Sequence, residues 1–215
     1  MEPFQVNENW VKSPTSIFWA EIAPCDHVVQ IYETDEVFLD LLFGFIKGGI
    51  EVGESVIIIA TASHLEALKY RLTCAGWDYT AVVESNLYIP LDADITLSKF
   101  MVNDWPDETL FMHLVSDLIT KAKIGGRPVR AFGEMVAILW AKGQVGATVR
   151  LEQLWNKFCE TQAFCLFCAY PKNGFTQDAV ESVMHICGTH SKLITVGEEG
   201  AENILYRTIT QKQVC

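Results

Sequence analysis

Apolar residues along this chain come in two rhythms. The first is a set of short unbroken runs: VVQIY (28–32), SVIIIA (55–60), LYIPL (87–91), PVRAF (128–132) and CLFCAY (165–170). Runs of this length suit strands, and SVIIIA, apolar on both faces, suits an internal and parallel one. The second rhythm is helical. Val37, Leu41, Leu42, Phe45 and Ile46 share one helix face, and so do Leu110, Phe111, Leu114, Leu118 and Ile119. Further helices are expected near 95–102, 134–141, 145–160 and 176–190, and a last strand near 203–209.

Local signals punctuate these elements. Thr34 or Asp35 can cap the helix after VVQIY, and Gly48-Gly49 reads as its stop. Ser63 and Glu66 have capping-box spacing and open a helix through about Cys74, with Gly76 beyond it. Pro106-Asp107 opens the helix that Gly125-Gly126 terminates. Strands alternating with helices predict an α/β fold of three layers, a mostly parallel central sheet with helices on both faces. With no internal repeat, low-complexity stretch or long linker, one domain is expected. Residues 1–24 read as an irregular N-terminal arm, and 196–215 as a strand and tail packed on the same domain.

Composition narrows the classes. Half of the 215 residues are apolar, enough for a sizeable core. A net charge of −11 argues against a nucleic-acid surface, which needs a basic stripe. No apolar run approaches membrane-span length, and the N-terminus lacks signal-peptide character. Seven scattered cysteines (25, 74, 159, 165, 168, 187, 215) read as free thiols in a reducing cytoplasm.

Phosphate chemistry is the first candidate, because a strand-to-helix turn is where α/β proteins often cradle it. Here that turn reads YETDEVF, with Glu33, Asp35 and Glu36, no glycine and no lysine. A phosphate loop needs glycines for close backbone approach and a lysine for charge, so ATP is disfavoured. Metal chemistry is the second. Cys187 and His190 stand three apart on an expected helix, and with His27 and Cys168 they form a candidate ligand set. Cys165 and Cys168 are also three apart, but in a strand that spacing sends them to opposite faces. Small core cysteines and capped histidines explain the same residues without a metal.

Cys168 with a histidine would make a nucleophile pair, but nothing local activates the thiol. The carboxylate pairs Asp92/Asp94 and Asp104/Asp107 fall at cap and turn positions. Glu134, after the strand ending Phe132-Gly133, sits where open α/β sheets bind ligands, although a helix dipole also favours a carboxylate there. Trp140 and Trp155 fall in helical patterns and read as core.

A set of ordered blocks then resembles a known family. HVVQIY (27–32), GGIEVGES (48–55), IIIAT before His64, LDAD (91–94), WPDE (105–108), VRAFGEMVAILW (129–140), LEQLWNKF (151–158), FCLFCAYP (164–171) and ICGTHSKL (186–193) resemble the MEDS domain, the methanogen, methylotroph and DcmR sensory domain. The resemblance spans 25–195, and more remotely the chain is similar to RecA/KaiC-like ATPases stripped of the phosphate loop. It implies a RecA/KaiC-like scaffold and a sensor of small hydrocarbon derivatives, one-carbon or halogenated, rather than an enzyme. Flanks of about 25 and 20 residues are too short for a DNA-binding or kinase module, which implies a stand-alone domain signalling to a partner in trans or to itself. The expected pocket lies at the C-terminal edge of the sheet, with His27, Gln30, Tyr32, Phe132, Glu134, Cys168 and His190 as its candidate wall. No cofactor is assigned; a metal ion is one candidate. Two rivals stand beside the sensor: a nucleotide-binding KaiC-like module without its lysine, and a metal- or thiol-dependent enzyme.

Overall fold

The computed structural model describes residues 10–172, 186, 188–197 and 200–209. Its ten strands are β1 (Val11–Pro14), β2 (His27–Tyr32), β3 (Ser55–Ala60), β4 (Tyr88–Asp92), β5 (Met101–Val102), β6 (Trp105–Pro106), β7 (Val129–Gly133), β8 (Cys165–Pro171), β9 (Lys192–Gly197) and β10 (Gly200–Thr208). The α-helices named among the described residues are α1 (Thr15–Ala20), α2 (Asp35–Glu51), α3 (Ala62–Cys74), α4 (Tyr79–Glu84), α5 (Ala93–Ser98), α6 (Glu108–Ala122), α7 (Met135–Ala141) and α8 (Val145–Thr161). Eight strands form one sheet in the order β1-β10-β9-β2-β8-β7-β3-β4. From β9 to β4 every pairing is parallel, and β10 is antiparallel to both β9 and β1.

Strand alternation divides the core. Val28, Val56, Ile58, Phe132 and Phe167 point to the side covered by α1–α4, and Val29, Ile57, Ile59, Ala131 and Cys168 to the side covered by α5–α8. Each internal strand is therefore apolar on both faces, as an unbroken run predicts. SVIIIA is buried at all six positions.

Four local expectations need correcting. The N-terminal arm is not irregular where it is described: β1 pairs with β10 from Val11 to Pro14, and α1 buries Trp19 completely. Gly48-Gly49 does not stop α2, which runs on to Glu51. A Cβ on Gly49 would stand 2.7 Å from Arg130 Cδ and from Val56 Cγ2, so the glycine makes room for a buried arginine. That guanidinium pairs with Glu54, donates to the carbonyls of Phe45 (3.0 Å) and Trp19 (3.2 Å), and lies 5.1 Å from the Phe45 ring centroid. Ser63 does not cap α3, which begins one residue earlier with Thr61 at its N-cap. Strand β9 and helix α4, six residues each, are not among the elements expected from the sequence, and only the structure reveals them. The helix expected at 176–190 lies almost wholly outside the described residues.

Other signals hold. Thr34 Oγ1 accepts from Val37 N and caps α2. Asp92 and Asp107 cap α5 and α6 by accepting from Ile95 N (2.8 Å) and Leu110 N (2.9 Å). These carboxylates are thus used in helix starts. Trp140 and Trp155 are core.

Candidate functional site

The seven candidate wall residues do not share one edge of the sheet. His27 and Gln30 are three apart in β2, so they face opposite sides, and Tyr32 and Phe132 follow Gln30 onto the α2 side. His27 is the first residue of a parallel strand and stands at the N-terminal edge, opposite the edge where a pocket is expected. The set separates into two constellations.

The first lies between the sheet and α8. His27 comes from the start of β2, Cys168 from the middle of β8, and His190 from the residues just before β9. Glu152 joins them from α8. It is fully buried, and so are Cys168 and His190. His27 Nε2 is 3.4 Å from Cys168 Sγ and 3.7 Å from Glu152 Oε2, and His190 Nε2 is 3.8 Å from that same oxygen. One ligand-type atom from each of the four lies within 4.8 Å of all the others. The two imidazole centroids are 3.9 Å apart.

The surroundings decide the tautomers. His27 Nδ1–H donates to Asn156 Oδ1 at 2.8 Å, and His190 Nδ1–H donates to the Ile186 carbonyl at 2.6 Å. With hydrogens on both Nδ1 atoms, neutral rings present bare Nε2 lone pairs to the centre. Glu152 and Asn156 stand four apart on one helix face, so the residue that joins the cluster and the one that orients His27 arrive together. Tyr170, on β8, donates its hydroxyl to Glu152 Oε1. At the strand ends Asp26 accepts from Ser191 Oγ (2.9 Å) and pairs with Lys192, while Ser191 N donates to the His27 carbonyl (2.7 Å). This clasp sets β2 against β9 and holds the two imidazoles together.

Burial governs the protonation of all four groups. It lowers His27 to about 4 and takes His190 well below the ordinary imidazole value, with His27 adding to the fall. It raises Glu152 to about 8, the Tyr170 hydroxyl opposing, and takes the Cys168 thiol well above its usual range. Cys168 is therefore a protonated thiol, as its lack of an activating neighbour leads one to expect. An open cleft of about 550 Å³ reaches the cluster from outside, lined by Cys25, His27, Asn156, Cys159, Thr189 and His190 among others. Cys187, the fourth residue of the expected ligand set, lies outside the described residues. Glu152 is the one sequence reasoning overlooks. The available signal is a lone carboxylate inside the apolar stripe Leu151, Leu154, Trp155 and Phe158.

The second constellation is at the C-terminal ends of β3 and β7. Glu134, 5 % exposed, accepts from Thr61 N (2.8 Å) and from His64 Nδ1 (2.9 and 3.0 Å). Asp35 lies 3.9 Å from His64 Nε2. Burial, the largest single cause, lowers the His64 pKa, but the hydrogen bonds and charges of Glu134 and Asp35 together outweigh it, and the net shift is upward. Phe38 packs between Tyr32 (4.7 Å, stacked), Phe132 (5.6 Å) and His64 (5.1 Å), so the space among these residues is filled by aromatic rings, while an open cleft of about 490 Å³ lined by Tyr32, Glu33, Val37 and β9 residues lies at this end of α2. Gln30 is 1 % exposed and its Oε1 has no partner.

The model for MEDS, the methanogen/methylotroph, DcmR sensory domain, matches residues 26–190. No curated protein matches the chain. Two solved structures from Pyrococcus horikoshii OT3 share its fold. The protein of project PH0250 is 13 % identical with a TM-score of 0.56, over 87 % of this chain and 90 % of that one. The KaiC-like protein PH0186 is also 13 % identical with a TM-score of 0.55, over 88 % of this chain and 82 % of that one. Identity at this level speaks for the scaffold alone, a RecA-like sheet flanked by helices. Among the described residues no helix is long and apolar enough to cross a membrane. Most of the sheet, and the strands and helix that carry the buried histidines, cysteine and glutamate, fall within the matched segment, and the chain belongs to the MEDS sensory-domain family.

Proposed function

We propose that this protein senses a small hydrocarbon derivative of the one-carbon or halogenated class and passes the bound state to a signalling partner in trans or to a second copy, without catalytic turnover. The observation that carries this reading is the cleft of about 550 Å³ over His27 and His190. Its size lies within the roughly 300–1,000 Å³ of small-molecule sites. Cys25, Cys159 and Ile209 offer soft or apolar wall, and Asn156, Thr189 and Ser191 offer hydrogen bonds. Behind the wall the two imidazoles stand beside the Asp26–Ser191–Lys192 clasp that sets β2 against β9, so an occupant can alter the pairing of two strands. Turnover has no support in the thiol, which burial keeps protonated.

The test is thermal unfolding against a panel of one-carbon and halogenated compounds. A ligand that binds only the folded state raises Tm in proportion to log concentration above its Kd. The expected result is a rise for at least one compound, lost in Thr189→Trp, whose indole fills the cleft. A flat response across the panel sinks the reading.

A further inference from the structure

We propose that His27 Nε2, Glu152 Oε2, Cys168 Sγ and His190 Nε2 are the four ligands of a divalent transition-metal centre of the zinc type. Three independent features of the cluster lead there.

The first is spacing. Four ligands held about 2.0–2.3 Å from one tetrahedral ion stand roughly 3.3–3.7 Å from one another. The observed separations of 3.4, 3.7 and 3.8 Å match those edges, and none among the four atoms exceeds 4.8 Å. Small rotations of side chains suffice to close the shell.

The second is direction. Both Nδ1–H groups are spent on acceptors outside the cluster, so both Nε2 lone pairs point inward, as outer hydrogen bonds fix metal-bound histidines. Glu152 is held the same way, with Oε1 taken by Tyr170 and Oε2 directed at both rings. Glu152 Oε2 and His190 Nε2 are buried without a hydrogen-bond partner. A buried polar atom left without a partner is unfavourable. A cation placed among them removes that cost.

The third is charge. A thiolate and a carboxylate carry −2 between them, and two neutral imidazoles add nothing, so a divalent ion leaves the buried centre neutral. On binding, one metal–nitrogen bond forms on the His190 Nε2 lone pair, which has no partner, and the other on His27 Nε2 as its contact with the Cys168 S–H is given up. The metal–sulfur and metal–oxygen bonds form as the Cys168 S–H and Glu152 O–H break, and those protons leave to solvent through the cleft. Two nitrogens, one oxygen and one sulfur suit zinc, with cobalt as its spectroscopic substitute. Four protein ligands close the shell, which fits a centre that fixes β2, β8, β9 and α8 together rather than one that activates water.

The metal assignment stands apart from the ligand reading, and each can fail alone. The test begins with elemental analysis of protein expressed with added zinc and purified without chelator. Chelator-stripped protein is then titrated with cobalt(II). One equivalent of zinc is expected, and a cobalt spectrum with tetrahedral visible bands and a thiolate charge-transfer band. Cys168→Ser should abolish the charge-transfer band, and Glu152→Gln and His190→Gln should lower affinity for cobalt. Asn156→Ala, which removes only the orienting contact, should cost about 10–100-fold in affinity. Cys165→Ser, on the opposite face of β8, should leave the titration unchanged. Near-ultraviolet circular dichroism identifies any variant that has not folded, and Asn156→Ala and Cys165→Ser keep the test open if the ligand variants fail. The proposal is overturned if folded wild-type protein takes up no stoichiometric zinc and gives no cobalt bands. It is equally overturned if the charge-transfer band survives Cys168→Ser and disappears in Cys187→Ser.

Discussion

The Tyr170 hydroxyl donates to one oxygen of the Glu152 carboxyl and leaves the other facing His27 and His190. Both residues are fully buried, and they come from β8 and α8, the two elements that sandwich the cluster. The bond therefore ties helix to sheet as well as aiming the carboxyl. Tyr170→Phe keeps the ring and its packing but leaves Glu152 Oε1 without this donor. The expected loss is about 1–3 kcal/mol, the cost of a buried unsatisfied acceptor. Urea unfolding of chelator-treated protein measures it, with an unchanged m-value showing that the unfolding surface is the same. A loss under about 0.5 kcal/mol would mean that another donor replaces the hydroxyl.

His64 offers a pH dependence whose sign can be stated. Its folded pKa is raised: burial pulls it down, but the hydrogen bonds and charges of Glu134 and Asp35 together pull it up by more. The folded state then holds its proton more tightly than the unfolded one. The resulting stability is fully present below the unfolded pKa of 6.5 and is lost as pH rises through the folded value. His64→Gln should therefore be less stable than wild type at pH 5.5, with the gap narrowing as pH rises to 9; those two points bracket the titration of an ordinary imidazole near about 6.5. Chemical denaturation of both proteins at several pH values checks it. A gap that widens toward alkaline pH would show that Glu134 holds a neutral ring.

Legibility divides according to how far apart the interacting residues are. SVIIIA and CLFCAY announce buried strands because the signal is the run itself. The caps at Thr34, Asp92 and Asp107 are readable because donor and acceptor are three residues apart. Gly49 is misread because the reason for it is Arg130, which arrives from another strand. His27, Cys168 and His190 are chemically conspicuous, and the topology brings them together. Glu152 is not conspicuous, since one glutamate on a helix usually faces water, and its burial follows only once α8 is docked on β8. Tyr32 is five residues from His27 on β2 and so takes the other face, and Glu134 follows the C-terminal end of β7, at the edge of the sheet opposite His27.

Gly49→Ala sets two effects against each other. In an open helix the change stabilises by about 0.5–1 kcal/mol, because glycine has more backbone freedom to lose. Here the new methyl would stand 2.7 Å from Arg130 Cδ and 2.8 Å from Arg130 Nε. Arg130 cannot swing away cheaply, being bonded to Glu54, Phe45 and Trp19. Overpacking of this kind costs about 1–3 kcal/mol, so steric conflict wins and the variant is destabilised. Urea unfolding again measures it. A stabilised variant would show that the arginine relocates without loss.

The turn at Glu33–Glu36 is where a phosphate-binding relative would hold its nucleotide, and three features here oppose one. Asp35 and Glu36 lie in the first turn of α2, so the positive end of the helix dipole already faces carboxylates of this chain. Glu33 pairs with Lys172 in the lining of a second cleft of about 490 Å³. Thr34 spends its hydroxyl oxygen on Val37 N, the N–H that an incoming phosphate would seek. Millimolar ATP with magnesium should therefore leave the unfolding temperature unchanged, because a ligand without affinity for the folded state contributes nothing by linkage. Replacing Glu33, Asp35 and Glu36 together by alanine removes the repulsion but supplies neither the glycines nor the lysine of a phosphate loop. That variant should be equally indifferent. A concentration-dependent rise in either protein would return the nucleotide-binding reading to first place.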